Sequence, residues 1–137
     1  MNLYEAIYSR RSVRSYRMEP IEQQTLDGIP EFLKELEPLF PDIRTEIKIL
    51  DNCTGRARIG GFCNVRAPYY AALYTEEKEK CEMNGGYLMQ QLALHLESRG
   101  LGSCFVGMAK KRDKELESQG MHFLILLAFG IPKNPHR

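Results

Sequence analysis

N-G-G-Y-L-M-Q-Q-L-A-L-H-L-E-S-R-G-L-G-S-C-F-V-G, Asn84 to Gly107, is the stretch on which the fold turns. Leu88, Met89, Leu92, Ala93 and Leu96 recur at helical spacing and form one broad apolar stripe. The opposite side carries Gln90, Gln91, His95, Glu97 and Ser98, yet Tyr87 and Leu94 interrupt it. A helix with apolar groups on two sides is expected to be covered on both. One cover is the chain's own sheet; the other is a second surface such as another subunit. Gly100 stands where a left-handed helix stop belongs, because glycine takes positive φ at no steric cost. Gly102 keeps the following turn tight. Ser103 to Gly107 then reads as a short strand or extended segment whose backbone is free to face a ligand. Taken alone, the stretch is a core helix running into a core strand.

Working outward, the N-terminal side opens with a short helix marked by Leu3, Ala6 and Ile7, with Asn2 as its N-cap. R-R-S-V-R-S-Y-R follows at Arg10 to Arg17. Guanidinium forks match phosphate geometry, and a serine hydroxyl adds a neutral donor. In isolation such a cluster is more often a solvated basic turn than a phosphate site. The alternation after Ser12 predicts an extended segment that points Arg14 and Tyr16 one way and Ser15 and Arg17 the other. Pro20 begins a second helical region reaching about Leu36, with Ile21, Leu26, Ile29, Phe32, Leu33 and Leu36 as its apolar stripe. Gly28 and Pro30 predict a break or kink within it. Arg44 to Leu50 alternates as a half-exposed strand does.

Asp51 to Arg66 combines Gly55, Gly60 and Gly61 with Arg56, Arg58 and Arg66 and reads as a surface loop. Tyr69 to Tyr74 is an apolar, aromatic strand. Beyond the central stretch, Ala109 to Gln119 reads as a charged helix anchored by Leu116. Phe123 to Phe129 reads as a strand buried on both faces, and Gly130 to Arg137 as a polar tail. This order of elements predicts an α+β fold with a mixed central sheet and packed helices, one domain spanning residues 1–137.

The chain's 137 residues suffice for a modest core, and 43% hydrophobic with 27% charged residues is ordinary for a globular domain. A formal net charge of +1 gives no global field that would recruit nucleic acid or an anionic membrane. The longest apolar run is too short to span a bilayer, and Tyr4, Glu5 and Arg10 interrupt any apolar leader. Cys53, Cys63, Cys81 and Cys104 form no C-x-x-C pair, so no metal site is expected, and the thiols are read as reduced in a cytoplasmic protein.

Four blocks together carry a resemblance. R-R-S-V-R after a short helix resembles the FMN-phosphate motif of the nitroreductase family. A-P-Y-Y-A-A-L-Y at Ala67 to Tyr74 resembles one of its core strands. Asn84 to Gly107 resembles its central helix and flavin-facing segment, and F-G-I-P at Phe129 to Pro132 the end of its late strand. The short clostridial and Thermotoga-type branch is the nearest in pattern. The resemblance implies an intertwined homodimer with FMN at the subunit interface. It assigns Arg10, Arg11, Ser12 and Arg14 to the phosphate and ribityl chain, and Phe105, Val106 and Gly107 to the side of the isoalloxazine ring. There the Gly107 N–H would reach flavin N5. Asn84 is placed near the flavin edge. Two departures stand out: nothing in Asn52 to Arg66 aligns with the polar S-x-N-x-Q-P block of many relatives, and the chain stops soon after F-G-I-P. The second departure puts the family's C-terminal arm in question, with Lys133 or Arg137 as the only basic substitutes.

The resemblance further implies an FMN-dependent NAD(P)H oxidoreductase. It would reduce a nitroaromatic or quinone-type acceptor by ping-pong hydride transfer, with no catalytic side chain of its own. Two other readings compete. One is a flavin-binding protein with little turnover; the other is an anion- or nucleic-acid-binding module using Arg10 to Arg17 and Arg56 to Arg66. Near-zero net charge and the lack of an aromatic stacking motif weigh against the last.

Overall fold

The computed structural model describes residues 3–134, so Asn2, His136 and Arg137 lie outside the described residues. In chain order the elements are α1 (Leu3–Ser9), α2 (Gln23–Lys34), β1 (Thr45–Asp51), β2 (Gly60–Gly61), β3 (Tyr69–Glu76), α3 (Cys81–Ser98), β4 (Gly102–Phe105), β5 (Ala109–Lys110), α4 (Lys114–Ser118) and β6 (Met121–Gly130). β1, β3, β6 and β4 lie in that order in one sheet, and β2 pairs with β5 in a small ribbon. Every named strand pair is antiparallel. The mixed character expected of the sheet comes down, among the described residues, to one parallel bridge at its edge, Ser12 to Ser103.

The two apolar strands β3 and β6 sit at the centre of the sheet; β3 is buried on both faces, and β6 from Leu126 on, its Phe123 to Ile125 being only half-buried, short of the strand expected from the sequence. Period-two alternation sends Tyr70, Ala72 and Tyr74 to one face and Tyr69, Ala71 and Leu73 to the other. On the second face the stripe Met89, Leu92, Ala93 and Leu96 of α3 meets Leu127 and Phe129, and Ile29 of α2 closes the layer. Leu73, Leu92, Leu96 and Leu127 are fully buried; each such side chain is worth ~1.5–3 kcal/mol relative to exposure. The first face has no long helix. Tyr16, Val65, Ala67, Ala109 and Leu116 cover it instead, drawn from loops, β5 and α4.

A β-bulge interrupts the pairing of β3 with β6. Leu73 stands opposite Ile125 and Tyr74 opposite Phe123, which leaves Leu124 without a partner strand residue. Gly85 of α3 rests directly on this irregularity: a Cβ there would lie 2.6 Å from Leu124 Cδ2 and 2.7 Å from Leu73 Cδ2. The helix approaches the bulged strand this closely because the residue has no side chain. Gly100 ends the helical region at φ +80°, the left-handed stop read from the sequence.

Several expectations change. α2 runs unbroken through Pro30. The proline forfeits one helical hydrogen bond, but its residue is exposed while the neighbouring Ile29 is wholly buried and holds the helix down. α3 begins at Cys81, one turn before the stretch that identified it. Ala109 to Gln119 is not one helix. Ala109 and Lys110 are taken by the ribbon with Gly60 and Gly61, and only Lys114–Ser118 is helical. Asp113 starts that helix by accepting the Leu116 N–H at 3.0 Å. Arg14 and Tyr16 also part company: Arg14 is exposed and Tyr16 buried, because the Tyr16 hydroxyl donates to the Val13 and Ala128 carbonyls behind the segment.

Candidate functional site

The basic segment is strapped flat against the sheet edge. Val13 N–H donates to Ser103 O at 2.9 Å, Arg17 N–H to Ile131 O at 3.0 Å, and Lys133 N–H to Ser15 O at 3.0 Å. The strap therefore runs between β4 and the chain's tail, with bridges at Ser12–Ser103 and Tyr16–Pro132. Gly102 permits the contact, since a Cβ there would lie 2.7 Å from Val13 Cγ2. With the backbone satisfied against β4, the side chains of Arg11, Ser12, Arg14 and Ser15 are exposed. They rim a cavity of about 340 Å³ that Asn134 closes on the tail side. Cationic forks and hydroxyls around a small open cavity are a donor set suited to a phosphate monoester.

Arg10 stands behind this cavity rather than in its lining. Its Nη2 donates to Ser103 Oγ at 3.2 Å, and its guanidinium lies 5.5 Å from the centroid of the Phe105 ring. Its Nε is buried with no partner among the described residues, an orphaned donor on a cation that joins the strap to β4. Burial holds the Tyr16 hydroxyl far above the ordinary phenol range, with Cys104 adding to the shift and Arg10 and Arg14 opposing it. That hydroxyl remains a neutral donor, so it pins the strap at any working pH.

A second concavity, of about 350 Å³, opens at the end of β4. Gly86 and Gln90 of α3, Phe105, Val106 and Gly107, and Leu124 to Leu126 around the bulge line it. Its wall is mostly carbon. Val106 N–H is spent on Leu126 O at 2.9 Å, while no acceptor among the described residues takes the Gly107 N–H. A Cβ on Gly86 or Gly107 would meet nothing within 4 Å, so both glycines border open space that side chains would enter. At the lip, Phe62 N–H donates to Met108 O at 2.9 Å, and both of these side chains are exposed. A flat apolar ring with an acceptor at its edge matches these walls, as a phosphate matches the first cavity. The phosphate and the ring of an FMN-like group thus each find fitting residues, and Arg10 contacts Ser103 and Phe105 of β4.

Of the residues expected at the site, Arg11, Ser12 and Arg14 share the first cavity and Phe105, Val106 and Gly107 the second, while Arg10 lines neither and contacts Ser103 and Phe105 of β4. Asn84 does not join them. It is fully buried in α3, where its Oδ1 accepts the Phe40 N–H at 2.8 Å and ties the loop after α2 to the helix. Lys133 is exposed and serves Ser15 through its backbone, while Arg137 lies outside the described residues. Sequence reasoning missed Ser15, Asn134, Gly86, Gln90 and Leu124 to Leu126. The Gly85–Gly86 pair inside a helical pattern was a usable signal; a bulge within a continuous apolar run leaves none. His95 lies in neither cavity. It is buried in a stack on Phe32 at 3.9 Å, and burial, then Arg99, lowers its pKa.

Comparisons with known proteins agree with this fold. The model of the family described as "Putative TM nitroreductase" matches residues 2–136. Among solved structures, the chain is similar to a nitroreductase family protein from Clostridium novyi NT, with a TM-score of 0.74 and 14% identity over 98% of this chain and 87% of that one. It is similar to an FMN-dependent nitroreductase from Clostridium difficile R20291, with a TM-score of 0.68 and 19% identity over 93% and 86%. A nitroreductase with bound FMN from Bacteroides fragilis NCTC 9343 has a TM-score of 0.68 and 16% identity over 98% and 90%. The comparison with curated proteins found no match. No helix among the described residues is long and apolar enough to cross a membrane.

Proposed function

Because the chain belongs to the family described as "Putative TM nitroreductase", a family of oxidoreductases, we propose that it is an FMN-dependent NAD(P)H oxidoreductase acting on nitroaromatic or quinone-type acceptors. The observation that carries this reading is the Ser12–Ser103 bridge. It holds the segment that rims the phosphate-suited cavity against β4, whose Phe105 lines the apolar, glycine-bordered concavity.

In this reading residues 1–137 form one FMN-binding domain. Arg11, Ser12 and Arg14, joined by Ser15 and Asn134, hold the phosphate. Arg10 is held by Ser103 and Phe105. In this reading it supplies a cation to the polar chain that links phosphate to ring. Phe105 and Val106 support one side of the ring, Gly86 leaves room for it, and the Gly107 N–H is available to its edge. When bound, FMN supplies the two-electron chemistry that accepts hydride from a nicotinamide and passes it on. The protein's part is orientation, exclusion of water by the carbon-lined wall, and charge neutralisation.

A homodimer belongs to the proposal. Ile7 on α1 and Met83 and Tyr87 on α3 are 58%, 58% and 47% exposed, on two helices that pack against each other. An apolar surface of this kind supports a second copy as its cover. A cytoplasmic setting is consistent with four free cysteines.

One spectrum tests the reading. Freshly purified protein is expected to be yellow and to release FMN on denaturation, and NADH or NADPH is expected to bleach it without air. Colourless protein that takes up no FMN on titration would sink the proposal. Among the described residues, no titratable side chain lines the second concavity. Both readings accommodate this, since hydride transfer on the flavin needs no acid or base here; flavin that neither nucleotide bleaches would select the second reading, a flavin-binding protein with little turnover.

A further inference from the structure

The net charge of +1 hides a local imbalance. No aspartate or glutamate occurs from Asn52 to Thr75, nor from Arg99 to Arg112. Those two segments meet in the β2–β5 ribbon, where Gly60 pairs with Lys110 and Gly61 with Ala109. Arg56, Arg58, Arg66 and Lys110 are exposed on or beside the ribbon. Lys111 crosses between its two sides, its Nζ donating to the Arg58 carbonyl at 2.9 Å. Arg112, by contrast, is spent on Glu117 at 2.8 Å. Five cations with no acidic partner among the described residues thus lie on the ribbon and in the segments that flank it, with Arg66 against Gly55.

The ribbon adjoins the candidate ring site. Lys110 follows Gly107 by three residues, at most about 10 Å of chain. Close approach of the two strands depends on Gly61, at φ +67°, where a Cβ would lie 2.3 Å from Met108 O. We propose that the β2–β5 ribbon and its flanking loops bind the phosphates of the reductant and select NADPH over NADH. This rests on the oxidoreductase reading given above. A pyrophosphate alone carries about two negative charges, and a 2′-phosphate monoester adds ~1.5–2 more; five cations match the larger sum. An acidic protein partner is the poorer fit, since a stable protein contact takes about 800 Å² a side and the ribbon has two residues per strand.

The test measures binding of adenosine 2′,5′-bisphosphate and of 5′-AMP to the flavin-loaded protein, and KM for NADPH and NADH with one acceptor. The bisphosphate is expected to bind at least about fivefold tighter than AMP at low salt, and KM to favour NADPH by a similar factor, as one exposed charge contact of ~1 kcal/mol gives. Both preferences should shrink in Arg56→Glu and Arg58→Glu and with added salt. They should persist in Lys34→Glu, a charge reversal on α2. FMN content and unfolding midpoint report whether each variant is folded. Equal binding of bisphosphate and AMP, or an equal effect of Lys34→Glu, overturns the inference. If the flavoprotein is bleached equally by both nucleotides at equal KM, this inference falls while the oxidoreductase reading stands. If the protein holds no FMN, that reading falls, and bisphosphate binding alone still decides the ribbon's role.

Discussion

Arg10 and Arg14 look alike in the sequence and differ in the structure. Arg14 is exposed on the cavity rim; Arg10 is half-buried, bound to Ser103 Oγ and set over Phe105. Arg14→Ala is expected to weaken FMN by ~1.5–3 kcal/mol, the worth of a charge-assisted contact. Riboflavin, which lacks the phosphate, should bind the variant as before. Arg10→Ala should weaken both ligands, because the guanidinium holds Ser103 and packs on Phe105, which lines the ring-side concavity. Fluorescence titration with the two flavins separates these outcomes, and a double variant that keeps full affinity for FMN would refute the cradle. Arg11, Ser12 and Arg14 were legible because a dense donor set declares itself. Ser15 and Asn134 were not, since their role arises where the strap folds back on the tail. Asn84 was placed on the right helix, but its neighbour is a loop rather than a lining of either cavity. Its partner, the Phe40 N–H, lies 44 positions away, and no local pattern encodes that.

At the level of elements, legibility tracks periodicity, and the omissions are contacts between distant backbones. The core of α3, the aromatic β3 and the buried β6 each announce themselves by spacing. β2 and β5 are two residues long and exist only because they pair, so no window of sequence reveals them. Gly61→Ala tests how far the ribbon depends on that pairing. Left-handed backbone costs a residue with a Cβ ~1–2 kcal/mol, and the clash with Met108 O adds to it. A lower urea midpoint is expected, together with weaker flavin binding through the displaced Gly107. Asp113 joins α4 to the sheet in the same way, capping Leu116 and pairing with Lys48 at 2.5 Å. The Lys48 hydrogen bond, then the Leu116 N–H, lowers its pKa. A carboxyl depressed in the folded state stabilises above its unfolded pKa, and the effect fades as pH falls through the folded one. Asp113→Ala should therefore lower the unfolding midpoint at neutral pH and flatten the acid limb below the ordinary carboxylate range.

For the molecule as a whole, two properties arise from what is buried and what is not. His95 is held neutral by burial, with its pKa below the ordinary 6.5. The unfolded chain then binds the extra proton first, so stability should decline as pH drops below about 6.5 and be complete above it. His95→Phe should remove that part of the decline in thermal melts between pH 7.5 and 5.5, while keeping the stack on Phe32. The exposed apolar groups of α1 and α3 lead to the other property. Tyr87→Glu with Met83→Arg is expected to convert a dimer to monomer in sedimentation velocity, and FMN affinity should fall with it if the cofactor lies between subunits. Wild-type protein that sediments as a monomer at working concentration would contradict the paired arrangement.

The strap also imposes an order in time. Arg10 and Ser103 lie 93 positions apart, and Tyr16 and Ala128 lie 112 apart. During synthesis the first residues must wait, loose and basic, until nearly the last strand has left the ribosome. Loop closure over such spans is slow in forming and gains little until the sheet edge exists. The cradle is then among the last features to be assembled and, on heating, among the first to open, so a nucleotide seated there would act as the clasp that closes the fold.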